Sequence, residues 1–225
     1  MDHPFLAKEP TSTLVLITPQ NQFLDLRFCR NSITPRLVGG TAGTYIRTST
    51  SGMRAYTLDA LDPHPQNHLH SLRCQANGDI YETGVLPNPG SGTEDLTYEA
   101  VWRVSPVQPR LAVVLAYRGT HGQGVVVRVG SWCQGLLVKG KLITAERWQK
   151  LDGRWVRVMR LGNAWLPCGV ACVDRDEAAD KALWQGARYW REATGLKFVV
   201  EKVIGFGDRV VAGGDEWEVV ERVQW

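Results

Sequence analysis

No uninterrupted apolar stretch in this 225-residue chain approaches the ~20 residues that a helix needs to cross a bilayer. Met1-Asp2-His3-Pro4 also lacks the basic start and apolar core of a secretory leader. These two absences predict a cytoplasmic protein with no membrane partner. Cysteine is sparse: Cys29, Cys74, Cys133, Cys168 and Cys172 form an odd, unevenly spaced set, which suits reduced thiols better than a disulfide framework. Zinc at Cys168 and Cys172 would need two further ligands at suitable spacing, and the sequence offers none, so no metal is expected there. An excess of one charge is missing too. Lys and Arg number 26 against 23 Asp and Glu, scattered along the chain, so nucleic acid is not an expected partner. A GxSxG elbow, a P-loop and a dinucleotide fingerprint are all absent from the strand-to-helix context they require. Hydrolase, NTPase and NAD-dependent readings therefore have no support, and any chemistry is expected to run without a cofactor.

What the sequence does contain is short runs of Val, Ile, Thr, Tyr and Trp broken by Gly, Pro and Asn. They predict strands over Leu14–Ile17, Phe23–Phe28, Thr44–Thr48, His68–Cys74, Leu96–Val104, Leu111–Tyr117, Val125–Val129, Leu142–Trp148, Trp155–Leu161, Phe198–Val203, Arg209–Val211 and Trp217–Val223. That many short strands must curl into barrels or sandwiches, and a chain of this length can bury two small cores. The proline-rich stretch Ser105-Pro106-Val107-Gln108-Pro109 near the middle reads as a connector. The expected fold is therefore mainly β, in two barrel halves over residues 1–105 and 106–225. One segment has helical spacing. Ala178, Ala179, Ala182, Leu183, Ala187 and Trp190 predict a helix over about 175–193, capped by Asp174 and ended by Gly195. Gly213-Gly214-Asp215 predicts a hairpin turn, because glycine readily takes the positive φ such turns need.

Several motifs share one order along the chain: Glu9-Pro10-Thr11, then Tyr81-Glu82-Thr83-Gly84, then Trp102-Arg103, then Gly130-Ser131-Trp132-Cys133-Gln134-Gly135, and finally the segment from Gly207 to Glu221. In this series the sequence resembles the fungal Hri1-like family. The resemblance touches nearly the whole chain and implies a two-part, lipocalin-like β-barrel protein without a settled chemistry. It suggests a protein-interaction role. Gly130-Ser131-Trp132 is also similar to the GxW fingerprint of lipocalins, although it lies far from the start of a barrel's first strand.

Nine tryptophans, all beyond residue 100, suit either an apolar pocket that stacks a flat ligand or the plugging of barrel ends. Tyr98, Trp102, Trp132, Trp148 and Trp155 are the ligand-binding candidates. Alternation in Tyr98-Glu99-Ala100-Val101-Trp102-Arg103 sets Tyr98 and Trp102 on one face and Glu99 and Arg103 on the other. An inward Glu99 and Arg103 would form an acid/base and anion-binding pair; an outward pair would be an ordinary surface contact. Glu82, read as part of an ETG turn, has a structural role as its simpler explanation. His68 and His70 share a face if they lie on a strand. The Glu of a cupin metal site is missing after them, so His70 is a proton-shuttle candidate and no metal is assigned. His121 is an expected loop residue.

These features define competing functions. Glu99, His70 and Arg103 would act in a cofactor-free cyclase or isomerase of fungal secondary metabolism that folds a hydrophobic small molecule inside a barrel. A non-catalytic module for a protein partner is the alternative, and a small-molecule carrier is the third reading. A hollow interior with convergent polar groups marks catalysis, a hollow apolar one marks carriage, and a filled interior marks docking.

Overall fold

The computed structural model describes residues 10–86, 95–173 and 204–225. Its first sheet is a seven-stranded antiparallel meander: β1 (Thr11–Ile17), β2 (Gln22–Cys29), β3 (Leu37–Arg47), β4 (Ser51–Asp59), β5 (His68–Cys74), β6 (Ile80–Leu86) and β7 (Leu96–Trp102), paired in chain order. The second sheet contains β8 (Leu111–Gly119), β9 (Gly122–Val129), β10 (Trp132–Lys139), β11 (Leu142–Leu151), β12 (Arg154–Leu161), β13 (Arg209–Ala212) and β14 (Asp215–Gln224). Its order is β12-β11-β10-β9-β8-β14-β13, so the returning C-terminal strand β14 pairs with β8. A single turn of helix, α1 (Cys168–Ala171), follows β12. The mainly β expectation in two halves agrees with this architecture.

Alternation explains how the sheets pack. On β2, Leu24, Leu26 and Phe28 are fully buried on one face, while Phe23, Asp25 and Arg27 occupy the other. The first set meets Ala112, Val114, Val127 and Leu136 from β8, β9 and β10 in a core shared by both sheets. On β8, the alternate residues Val113 and Leu115 turn to the opposite face and join Leu137, Trp148 and Trp217 in a second core. Leu166, Cys168, Ala171 and Cys172, around α1, complete it.

The first sheet curls away from the shared core. Arg54 on β4 and Trp102 on β7 are separated by three interstrand steps, about 14 Å in a flat sheet. Yet the Arg54 guanidinium carbon lies 5.9 Å from the Trp102 ring centroid. Such an approach requires the sheet to bend toward the face that carries both, and it defines the hollow side of the first half-barrel.

Polar side chains also tie the sheets together. Gln134 donates to the carbonyls of Leu14 and Leu24 at 3.1 and 3.2 Å. Arg147 donates to the carbonyls of Ser12 and Leu26 at 3.2 and 2.8 Å and to Gln134 Oε1 at 2.9 Å. Thr18 donates to the buried Glu221 carboxylate at 2.6 Å. Burial holds the Arg147 guanidinium down to about 10, and its carbonyl and amide partners satisfy its donors.

Three observed strands differ from expectation. β4 and β10 were not predicted, and β6 contains the Glu82-Thr83-Gly84 segment read as a turn. Gly84 sits within β6 opposite Tyr98, so the ETG segment is strand. The Gly213-Gly214 turn does join β13 to β14, with φ of +61° and +87°. The predicted helix over about 175–193 and the predicted strand Phe198–Val203 lie outside the described residues.

Candidate functional site

The hollow face of the first half-barrel carries a concentration of buried polar side chains. Register brings Tyr45, Arg54 and His68 into one cross-strand row, and Gly52, His70, Gly84 and Tyr98 into the next. Leu72, Glu82 and Ala100 form a third. The two glycines are spatial requirements. A Cβ on Gly52 would overlap the His70 imidazole and come within 2.6 Å of the Tyr45 hydroxyl; one on Gly84 would lie 2.6 Å from the Tyr98 ring. Each absent side chain leaves the room into which a neighbouring ring folds.

Glu82 is the hub. Its Oε1 accepts from Arg54 Nη1 at 2.9 Å and from the Tyr98 hydroxyl at 2.7 Å, and its Oε2 accepts from Arg54 Nη2 at 2.9 Å. The Tyr98 hydroxyl, which donates to Glu82, also lies 3.3 Å from His68 Nε2. His70 Nε2 lies 3.2 Å from the Tyr45 hydroxyl and 3.7 Å from Glu82 Oε2, and its ring stacks on Tyr45 with centroids 5.8 Å apart. Nδ1 of His70 is buried without a hydrogen-bond partner among the described residues.

The electrostatics follow from this wiring. Burial opposes ionisation of Glu82, but the bidentate Arg54 and the Tyr98 hydroxyl outweigh it and hold the carboxyl below its usual range. Burial opposes the charge on Arg54 as well, and the same bond to Glu82 raises its pKa. Desolvation and the Glu82 charge push the Tyr98 phenol up. Desolvation is the largest influence on both histidines, with Arg54 adding to it; His70 falls to about 4 and His68 also falls. At neutral pH the cluster is thus one ion pair surrounded by neutral rings.

The expected site residues separate in space. His70, Tyr98 and Trp102 share the hollow face. Glu99 is exposed on the opposite face, and Arg103 lies just past β7, 85% exposed and 3.8 Å from Asp79. Of the two orientations open to Glu99 and Arg103, the outward one is observed, set by the parity of β7, and the two side chains do not pair with each other. Trp132 packs against the shared core, while Trp148 and Trp155 belong to the second half-barrel. Trp148 donates to the buried Glu146 at 2.7 Å, where Arg160 and Arg157 also pair. The five ring candidates are thus divided among three places. His121 is exposed between β8 and β9.

Sequence reasoning did not identify Arg54 or Tyr45 as members of the cluster. The available signal was alternation: once Ser51–Asp59 is read as a strand, Gly52, Arg54 and Tyr56 share its polar face. Among the described residues, no group of three or more His, Cys, Asp or Glu side chains is arranged to hold a metal ion.

A second buried polar group lies inside the other half-barrel. Arg128, fully buried, donates to the carbonyls of Gly130 and Ala171 at 3.2 and 3.0 Å and stacks over Trp155 at 4.9 Å. Burial raises the Cys133 thiol, but hydrogen bonds with Cys168 and Cys172 and the Arg128 charge bring it below its ordinary range. Burial raises Cys168 in the opposite direction.

Two curled seven-stranded antiparallel sheets, packed through one shared core, define a two-part half-barrel β protein. The sequence model of the family described as Protein HRI1 matches residues 3–192, and the chain belongs to that family. A solved structure described as an uncharacterized protein from Saccharomyces cerevisiae superposes with a TM-score of 0.69 at 17% identity, covering 96% of this chain and 93% of that one. At that identity the likeness concerns the fold alone. No curated protein matches the chain. No helix among the described residues is long and apolar enough to cross a membrane.

Proposed function

We propose that this protein is a non-catalytic interaction module that docks another protein on its surface. The observation that carries the reading is how both hollow faces are occupied by the chain's own side chains. Trp217, Leu137 and Leu115 fill the second half-barrel at 0–1% exposure. In the first, Arg54, Glu82, His70 and Tyr45 close on one another at hydrogen-bond or stacking distance. A cyclase or isomerase needs space for a substrate and a group able to exchange a proton near neutral pH. Here His70 is shifted down to about 4, and its Nε2 already faces Tyr45. The groove defined by Ala116, Arg118, Arg209, Glu216, Glu218 and Val220, about 360 Å³, carries mixed charge and suits no hydrophobic ligand.

The small-molecule reading keeps one specific support, the buried Nδ1 of His70, which has no hydrogen-bond partner among the described residues and which a ligand acceptor or donor would satisfy. One experiment separates the two. The purified protein is incubated without added cofactor with a small-molecule extract of its source organism, and products and retained compounds are followed by mass-resolved chromatography. In parallel, a protein recovered with it is identified, produced pure and titrated against it. Docking predicts a saturable complex of fixed stoichiometry and no compound converted or retained. Conversion to an isomer of equal mass would replace this reading with catalysis, and retention without conversion would replace it with carriage.

A further inference from the structure

Each sheet ends in strands whose outer backbone groups need cover, since an open edge is a template for another strand. Three of the four edge strands are protected. β1 is overlaid by the second sheet, with Gln134 and Arg147 bonded to its Leu14 and Ser12 carbonyls. β12 carries Arg154, Arg157 and Arg160, and its pairing is broken by a register shift beside Trp148. β13 has only 4 residues.

β7 differs from all three. It is 7 residues long, pairs with β6 without a register shift, and contains neither Lys nor Pro. Its one charged residue is Glu99. The face opposite to the polar cluster exposes four large apolar side chains, Val101 at 59%, Val85 at 48%, Leu69 at 67% and Ile46 at 49%, with Arg73 and Tyr81 in the row of Val101. Of the four, all but Val101 lie in one cross-strand row. Ile46 pairs with Met53, Met53 with Leu69, and Val85 with Thr97; Leu69 and Val85 lie one step beyond the His70–Gly84 pair. One uncharged row, Ile46-Met53-Leu69-Val85-Thr97, therefore runs across five strands and stops at β7, whose outer side pairs with no strand among the described residues.

We propose that β7 is the docking edge, and that its occupant is an extended segment of another protein, added as an eighth strand. The inference rests on the docking reading above and names its site. The chemistry of the segment follows from period-two alternation. On the exposed face it presents β-branched apolar residues beside Thr97 and Val101, with Lys or Arg opposite Glu99 between them. A second copy of this chain fits less well. Two β7 strands in full antiparallel overlap are centred on Glu99, which sets the two carboxylates directly against each other.

The test uses the full chain and a synthetic peptide in which valine alternates with threonine, with one lysine placed to meet Glu99 and one at each end. Amide hydrogen exchange is followed by mass spectrometry with and without the peptide. Protection is expected to rise over residues 96–102 and at no other edge. The exposed double substitution Thr97→Lys with Val101→Lys lowers peptide affinity by at least about tenfold with an unchanged melting temperature, while Val156→Lys on β12 leaves it unaltered. Absence of protection, or protection at β12 or β13, overturns the inference. So does self-association of the wild-type chain that the double substitution abolishes, since the occupant is then a second copy. A purified partner that binds wild type and double variant equally removes β7 as the site while docking stands; conversion of a small molecule removes both.

Discussion

Glu82 shows at the scale of a residue how a charge can be buried without becoming reactive. Its two oxygens take three donors, so the ionised form is held by geometry, and the neighbouring histidines stay neutral because a fixed guanidinium and low hydration oppose a second positive charge. The consequence is a defined pH dependence. His70 has a folded pKa of about 4 against 6.5 for a free histidine, so its contribution to stability is complete above 6.5 and is lost as the pH falls toward 4. The loss is on the order of 2 kcal/mol. Glu82 adds a second loss as the pH drops below about 4.5, because its folded pKa is depressed. Urea denaturation of wild type and His70→Gln at a series of pH values checks this: the variant is expected to show a flatter profile between pH 6.5 and 4, and an equal slope in both would exclude His70 as the titrating group. The pairing of His68 and His70 on one face was legible from their spacing. Arg54 and Tyr45 were not, because nothing local in the sequence reveals that β4 pairs with β5 and that Arg54 reaches Glu82 on β6.

Strands in this protein are recognisable where alternation is strong and obscure where glycine serves packing. β6 reads as a turn because Glu82-Thr83-Gly84 has turn composition, yet Gly84 is required in mid-strand to admit the Tyr98 ring. β4 begins with Ser51-Gly52, and Gly52 does the same for His70 and Tyr45. In β10, Gly135 lies under the Cys168 sulfur, 2.7 Å from where a Cβ would be. All three missed strands thus contain a glycine that a side chain from elsewhere occupies. Gly84→Ala is accordingly expected to lower stability by about 1–3 kcal/mol in urea denaturation, as overpacking displaces Tyr98 from Glu82. Gly169→Ala, where nothing lies within 4 Å, is the control and should change stability little. Equal effects at both positions would show that the space beside Gly84 does not set the penalty.

Across the whole molecule, the two sheets follow one another in the chain but share an apolar core. The division at 105/106 marks where one sheet gives way to the other, and we propose it as a boundary of topology rather than of folding. Leu24, Leu26 and Phe28 are fully buried only because Val114, Val127 and Leu136 lie against them. Residues 1–105 expressed alone are therefore expected to lack a cooperative thermal transition and to bind an apolar dye; a sharp transition in the fragment would show that the first half-barrel folds independently. The amino-acid order by itself determined the β class, the C-terminal hairpin and the family, since alternation, turn chemistry and motif order are local properties that survive without a structure. Only the tertiary structure decided which face of each strand is hollow, shared or exposed. Curling of the first sheet brings Arg54 to Glu82 and turns Glu99 outward, and contacts between residues far apart in the chain are not encoded in any one segment.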